Sequence, residues 1–355
     1  MSSSWFPDVT QPPLRGGPVL RWGVLAPGTI AGDFVSTVLA NTDQRVTAVG
    51  SRSGDRARRF ADAHGIDRVH GSYESLVSDA NVDIVYVATP HSGHHPLALL
   101  AISAGKHVLI EKPIAVTALE ASEIAEAARA AGVFAAEAMW TRYLPQFNVL
   151  DQVLRRGDLG LIRLATADVG WAMGPDAPSR MLDPRLGGGS ALDMGVYGYW
   201  FAQFAIGPPH VIRTVGRMTT SGVDDQVVVA IGGSDGRHAS VTTSMAVTNS
   251  GLAAIHGTKG SARFLDPFVF PASFVVSAGP GLHEWHDSSG LSRRAGLAWQ
   301  TTAVADYIGQ GRTDSPVHSL DDAISVMHTI DTVRRQLREA LQAPSPVSDA
   351  RSAPG

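Results

Sequence analysis

The chain has 355 residues, 44% of them hydrophobic, with 29 Lys and Arg against 33 Asp and Glu for a formal net charge of −4. That length is enough for two domains with buried cores, and without a basic block the chain lacks the charge footprint of a nucleic-acid partner. The absence of cysteine excludes disulfides, thiolate metal sites and cysteine nucleophiles, and it fits a cytoplasmic location.

The N-terminus, MSSSWFPDVTQPPLRGGPVL, has no basic region followed by an apolar run and is read as no secretory signal. Residues 1–18 are expected to form an arm, ordered only where something packs on it. No stretch reaches about 18 uninterrupted apolar residues, so no membrane partner is expected. From Arg21 strand and helix alternate. The strands are RWGVLA (21–26), RVTAVGS (45–51), VHGS (69–72), VDIVYVATP (82–90) and KHVLIEKP (106–113). Between and after them come the helical segments TIAGDFVSTVLAN (29–41), DRARRFADAHG (55–65), YESLVSDANV (73–82), HHPLALLAISAG (94–105) and TALEASEIAEAARAAG (117–132). Continuous apolar strands separated by helices predict an α/β fold. Its first domain, residues 19–140, is a Rossmann-type, doubly wound parallel sheet that binds a dinucleotide.

After Tyr143 the rhythm changes. A helix is expected over 145–160, a strand over 162–171, and a Pro- and Gly-rich loop over 171–189. One helix, SALDMGVYGYWFAQFAIG (190–207), follows, capped by Ser190. Strand-like runs from VIRTVGRMT (211–219) to SFVVSAG (273–279) follow without intervening helices, and two helices, 297–311 and 319–341, end the fold. This pattern predicts an α+β domain over 141–343 with a large, open, mostly antiparallel sheet that could pair with another subunit. Residues 344–355 have the composition of a flexible tail.

The first strand runs into its helix through GVLAPGTIAGDF. Gly28 stands where a pyrophosphate needs a residue without a side chain. Ala26 and Ala31 fill the other positions of a degraded G-x-G-x-x-G/A fingerprint, and the N–H groups near Thr29 and Ile30 would face the phosphates. At the end of the second strand Ser51 and Arg52 replace the Asp or Glu that would bind a ribose 2′-hydroxyl. A hydroxyl beside a guanidinium suits a 2′-phosphate, which favours NADP, with NAD possible. Lys112 ends an apolar strand, on the sheet edge where ligands of parallel sheets bind. Donors and a nicotinamide cation around it should push its pKa down. Asp193 and Tyr197, four apart on the predicted helix, should share one face. A neighbouring lysine cation would lower the Tyr197 pKa and make it a usable base. His91, His94 and His95 follow a strand end. His91 and His95 could share a metal, but no third ligand is close in sequence, and no metal site is expected. His318 and His328 read as structural.

EKP (111–113) after ATPHSGHH, with EAMWTRYLP (137–145) and GGGSALDMGVYGYW (187–200), resembles the Gfo/Idh/MocA oxidoreductase family. The likeness is to the branch that holds dihydrodiol dehydrogenase, NADP-dependent D-xylose dehydrogenase and glucose–fructose oxidoreductase. The resemblance covers residues 20–340. It implies that Thr89, Pro90, His91, Glu111, Lys112, Trp140 and Arg142 border the cofactor, and that His91, His94, Trp140, Arg142, Asp193 and Tyr197 line the substrate site. Tyr197, where many relatives have histidine, would be the acid/base, Lys112 would stabilise the alkoxide and Asp193 would orient a hydroxyl; Tyr199 serves as the control residue. The implied activity is hydride transfer between nicotinamide and a secondary or anomeric hydroxyl, or a ketone, of a carbohydrate or cyclic vicinal diol. The protein is expected to be a homo-oligomer, dimer or tetramer. Two rival readings come from relatives. One is a glycosidase that uses retained NAD(P) for redox elimination, and the other is a non-catalytic cofactor-binding regulator, of which the yeast galactose-pathway repressor is an example.

Overall fold

A computed structural model describes residues 5–174 and 179–342. Residues 1–4 of the expected arm, 175–178 of the long loop and the tail from 344 lie outside the described residues.

Six strands, β1 (Arg21–Leu25), β2 (Arg45–Gly50), β3 (Arg68–His70), β4 (Ile84–Val87), β5 (His107–Glu111) and β6 (Ala135–Ala138), pair in the order β3-β2-β1-β4-β5-β6. All pairs are parallel. Helices α1 (Thr29–Asn41), α2 (Gly54–His64), α3 (Tyr73–Val77), α4 (His94–Ser103) and α5 (Ala118–Ala131) make the crossovers. Every residue of β4 is buried, as a central strand covered on both faces requires. Strand β6 was not expected. Its AAEA sequence has neither β-branched nor aromatic residues to announce a strand, and it becomes one by pairing Val108 with Ala135 through Glu111 with Ala138. The strand order reverses between β1 and β4, so the crevice outside their carboxyl ends is the switch point where ligands bind.

The second sheet contains β7 (Ile162–Gly170), β8 (Val211–Met218), β9 (Asp224–Gly232), β10 (His238–Ser244), β11 (Ala253–Gly257), β12 (Gly260–Phe264), β13 (Phe274–Ala278) and β14 (Gly281–Trp285). Their order is β14-β13-β12-β11-β7-β10-β9-β8. Strand β7 enters between β11 and β10, and β7–β10 is the one parallel pair among the described strands of this second sheet. The short, half-exposed β14 was also unexpected; it forms as the return arm of a hairpin with β13.

Helices α6 (Pro145–Arg156), α7 (Ser190–Asp193), α8 (Gly195–Ile206), α9 (Leu297–Gly309) and α10 (Leu320–Gln342) complete the fold. Helix α8 packs on β7 and β10, and α10 on β8 and α5. Helix α9 returns to the first sheet's side, where Ala303, Val304 and Tyr307 join the core around Trp22 and Phe34.

The helix expected over 190–207 is two helices. In an unbroken helix the Asp193 carbonyl would accept from the Tyr197 N–H. Instead it accepts from Lys112 Nζ at 2.7 Å, and the Tyr197 N–H turns to the Met194 carbonyl. Nor is Ser190 the cap. The N-cap is Gly189, and Asp224 of β9 caps from outside, accepting from Ala191 N–H at 2.6 Å and Ser190 Oγ at 2.8 Å. The arm finds packing partners: Trp5 stacks on His283, Phe6 meets Phe274 edge-on, and Arg15 pairs with Asp43 after α1.

Candidate active site

The residues beyond the carboxyl ends of β1, β2, β4, β5 and β6 lie along one edge of the sheet, as parallel strands dictate. Ala26 takes φ +70°, the left-handed region where the fingerprint would place glycine. Gly28 is the N-cap of α1, with no side-chain cap and no acidic residue in the first turn. A Cβ added at Gly28 would meet nothing within 4 Å. The first N–H groups of α1, from Thr29 and Ile30, therefore open onto free space suited to a phosphate. Ser51 is buried and its Oγ accepts from Ser53 N–H at 3.1 Å, while Arg52 is exposed. These residues fit a dinucleotide. Thr89 and Pro90 follow β4 at the same edge.

Lys112 leaves β5 between buried anchors. Glu111 accepts from Tyr86 Oη, and its other oxygen accepts from Lys112 N–H at 3.2 Å. The Lys112–Pro113 peptide is cis. The Pro113 carbonyl meets His94 Nδ1 at 2.7 Å, and Ile114 N–H donates to Glu137 Oε1 at 2.8 Å. The remaining oxygen of Glu137 meets His318 Nε2 at 2.7 Å, both side chains being 1% exposed. With its backbone so held, Lys112 extends Nζ to the Asp193 carbonyl and lies 4.8 Å over the Tyr197 ring centroid.

Tyr197 Oη accepts from Trp140 Nε1 at 2.9 Å. Asp193 Oδ1 lies 3.1 Å from His91 Nε2, 3.4 Å from Lys112 Nζ and 3.8 Å from an Arg180 nitrogen. His91 Nδ1 meets the Gly187 carbonyl at 2.8 Å. Burial opposes ionisation of Asp193, but Lys112, His91 and Arg180 outweigh it and hold the carboxyl well below the ordinary range.

Two expected shifts have the opposite sign. Burial lowers the Lys112 pKa, yet Asp193, Tyr197 and Glu111 together raise it above the ordinary value; acceptors rather than donors surround the ammonium. Burial raises the Tyr197 pKa by more than Lys112 lowers it, with Glu111 adding to the rise. Tyr197 is thus a phenol at neutral pH.

Two expected site residues sit elsewhere. His94 is fully buried, with Nδ1 against the Pro113 carbonyl and Nε2 2.9 Å from that of Thr89. It offers no atom to a substrate and instead ties the end of β4 to the lysine loop. Burial, reinforced by nearby His91, pushes it down to about 3. The Arg142 guanidinium bonds the Val317 carbonyl at 3.0 Å, pairs with Asp151 at 3.3 Å and covers Phe204. It is a buried strut between the second-domain elements, turned away from the crevice. Tyr199 Oη has no hydrogen-bond partner among the described residues, and its ring packs at Gly195 near Thr243.

His91 and His95, the possible metal pair, have separate partners, Asp193 and Glu123. Among the described residues no three His, Asp or Glu side chains converge as a metal site needs. Sequence reasoning missed Arg180, Glu137 and Asp224. Glu137 was in sight inside EAMWTRYLP, an acid in an apolar run that asks for a buried partner. Nothing local marks Arg180 or Asp224.

Residues 20–138 match the family described as an oxidoreductase family with an NAD-binding Rossmann fold, and residues 147–263 match the GFO/IDH/MocA C-terminal domain. The chain is 40% identical over 328 residues to trans-1,2-dihydrobenzene-1,2-diol dehydrogenase of Mus musculus, and 34% identical over 328 residues to that of Homo sapiens. Each alignment spans 90% of this chain and 97% of the relative. A 3-ketoreductase from Actinomadura kijaniata, solved with NADP and TDP-benzene, superposes with TM-score 0.77 at 26% identity, covering 90% of this chain and 98% of that one. The aldose-aldose oxidoreductase from Caulobacter crescentus, complexed with glycerol, shares the fold with TM-score 0.79 at 24% identity over the same shares.

Proposed function

The chain belongs to the Gfo/Idh/MocA oxidoreductase family, and within it we propose an NADP(H)-dependent enzyme acting on a sugar or cyclic vicinal diol. The reaction exchanges hydride with a secondary or anomeric hydroxyl, or the corresponding ketone. The observation behind this reading is the arrangement of Lys112, Tyr197 and Asp193 at the carboxyl edge of the parallel sheet, with Nζ 4.8 Å over the phenol ring. The dinucleotide would lie along Gly28, Thr29 and Ile30, with Ser51 and Arg52 at a 2′-phosphate. When bound it supplies the hydride donor or acceptor.

The residues of this chain handle the proton. In the reducing direction Tyr197 Oη gives its proton to the carbonyl oxygen, and the phenolate left behind is stabilised by the Trp140 N–H and the Lys112 ammonium. In the oxidising direction the phenolate removes the hydroxyl proton. Asp193, held ionised, accepts from a second substrate hydroxyl, which suits a vicinal diol or sugar. His91 holds Asp193 from behind, and Trp140 offers an apolar ring face.

We also propose that the protein works in the cytoplasm as a homo-oligomer. The absence of cysteine and the open second sheet support this, with Val215 76% and Val228 48% exposed on neighbouring strands. No helix among the described residues is long and apolar enough to cross a membrane.

The test is fluorescence titration with NADPH and NADH, then a sugar and diol panel followed at the nicotinamide absorbance. Expected are tighter NADPH binding, turnover lost in Tyr197→Phe and turnover kept in Tyr199→Phe. Preference for NADH refutes the Ser51–Arg52 assignment, and an active Tyr197→Phe refutes the acid/base assignment.

A further inference from the structure

The segment Arg293–Gly296, just before α9, crosses from the second domain onto α1. Its contacts form a ladder on one helix face. Thr37 Oγ1 donates to the Ala295 carbonyl at 3.0 Å, and Arg294 pairs with Asp33. Residues 37, 33 and 29 are successive i, i−4 steps, so they line one stripe. The rung after Asp33 is Thr29, at the uncapped N-terminus of α1 beside Gly28. Side chains on a helix lean toward its N-terminus, which carries the Asp33 carboxylate and its guanidinium partner in that direction.

The other end of the segment abuts the crevice. A Cβ added at Gly296 would come within 3.1 Å of the Trp140 ring. Burial raises the pKa values of Glu111 and Tyr86, and the field of Arg294 is among the influences opposing it. The guanidinium therefore lies near enough to Glu111 and Tyr86 for its charge to be felt at both. Arg293 is held at φ +48°, a left-handed conformation that a bulky residue keeps only when its surroundings impose it.

We propose that Arg294 is a cofactor-binding residue delivered by the second domain: it exchanges the Asp33 carboxylate for the dinucleotide pyrophosphate. This rests on the dinucleotide reading above. Asp33 parks the cation one turn from the phosphate site, and a doubly charged pyrophosphate at the helix N-terminus is the stronger partner, offering bidentate acceptors. The exposed Arg294–Asp33 pair, 54% and 37% accessible, contributes little on its own and so gives way readily.

The two partners then have opposite effects on affinity. Arg294→Ala weakens ADP-ribose, NADPH and NADH by roughly tenfold alike, the scale of one charge-assisted hydrogen bond. It leaves 2′-AMP, which lacks the pyrophosphate, unchanged. Asp33→Ala removes a competing anion and tightens ADP-ribose by about threefold. Calorimetric titration of the intact protein reads all of these without turnover. If both substitutions weaken binding equally, the pair is only a latch between domains and the proposal fails. If Arg294→Ala binds ADP-ribose as the parent does, it fails outright while the dinucleotide reading stands. If the parent binds neither ADP-ribose nor NADPH, the dinucleotide reading falls and this inference with it.

Discussion

The Glu137–His318 pair gives a sharp test of how Lys112 is held. Glu137→Ala removes the acceptor of Ile114 N–H at 2.8 Å and the partner of His318 Nε2 at 2.7 Å. Both side chains are 1% exposed, so water does not replace the lost carboxylate. Breaking a buried pair by deleting one member costs about 3–5 kcal/mol, and a stranded buried amide about 1–3 kcal/mol. The two overlap, because they share one carboxylate, and ~4 kcal/mol is expected. With an unfolding entropy of ~2.1 cal/mol/K per residue over the whole chain, the melting temperature should fall by about 5 °C. Glu137→Gln keeps an acceptor for Ile114 and a donor for His318, and should lose only ~1 kcal/mol. Because Ile114 lies two residues from Lys112, the alanine variant should also lower kcat with little change in KM or dinucleotide affinity, and glutamine should restore most of it. Calorimetric melting of the three proteins, with steady-state kinetics beside it, is the assay. An alanine variant within about 1 kcal/mol of the parent would refute the claim that this pair secures the loop.

Three other expectations come from the same geometry. Tyr197 is raised above the ordinary tyrosine range by burial, so below that pKa the phenol is the populated form. Reduction should be flat between pH 6 and 9 while oxidation climbs about tenfold per pH unit; a plateau in oxidation below pH 8 would contradict this. His94 is pushed down to about 3, against about 6.5 when unfolded. Between those values the unfolded chain binds the extra proton, so stability falls on acidification with a slope of up to ~1.4 kcal/mol per pH unit. The slope should be shallower in His94→Gln when urea midpoints are compared across that window. At Ala26, φ +70° costs a non-glycine residue about 1–2 kcal/mol, and glycine's extra chain entropy returns about 0.5–1 kcal/mol. Ala26→Gly should therefore stabilise by ~0.5 kcal/mol and Ala26→Val destabilise by at least ~1 kcal/mol in urea unfolding; a stabilising valine would show the turn to be unstrained.

The sequence alone determined the alternating α/β half, the open second sheet and the edge on which ligands should bind. Those follow from short-range rules: apolar runs of strand length, helix periodicity, and the direction parallel strands must share. It also singled out Lys112 at the end of a predicted strand, Asp193 and Tyr197 one turn apart in a predicted helix, and Trp140 in EAMWTRYLP, four residues that the fold brings into one cluster. It could not announce β6, because AAEA is a strand only by virtue of the β5 edge it pairs with. Nor could it foresee the break at Met194, which exists because an ammonium 81 residues away in sequence takes the Asp193 carbonyl from its helix.

The electrostatics were decided by tertiary structure for the same reason. Lys112 and Tyr197 are each surrounded by groups from several elements, and burial sets the net sign of the Tyr197 shift where the sequence suggested only the neighbouring charge. His94 and Arg142 looked like site residues by position, but their hydrogen bonds go to carbonyls and a carboxylate brought near by folding. Arg180, Asp224 and Arg294 had no local signal at all. A residue that acts on a distant stretch of chain, as Asp224 does 34 positions and Arg294 261 positions from its partner, is visible only once the chain has closed the distance, because charge and hydrogen bonding act through space and the sequence records only order.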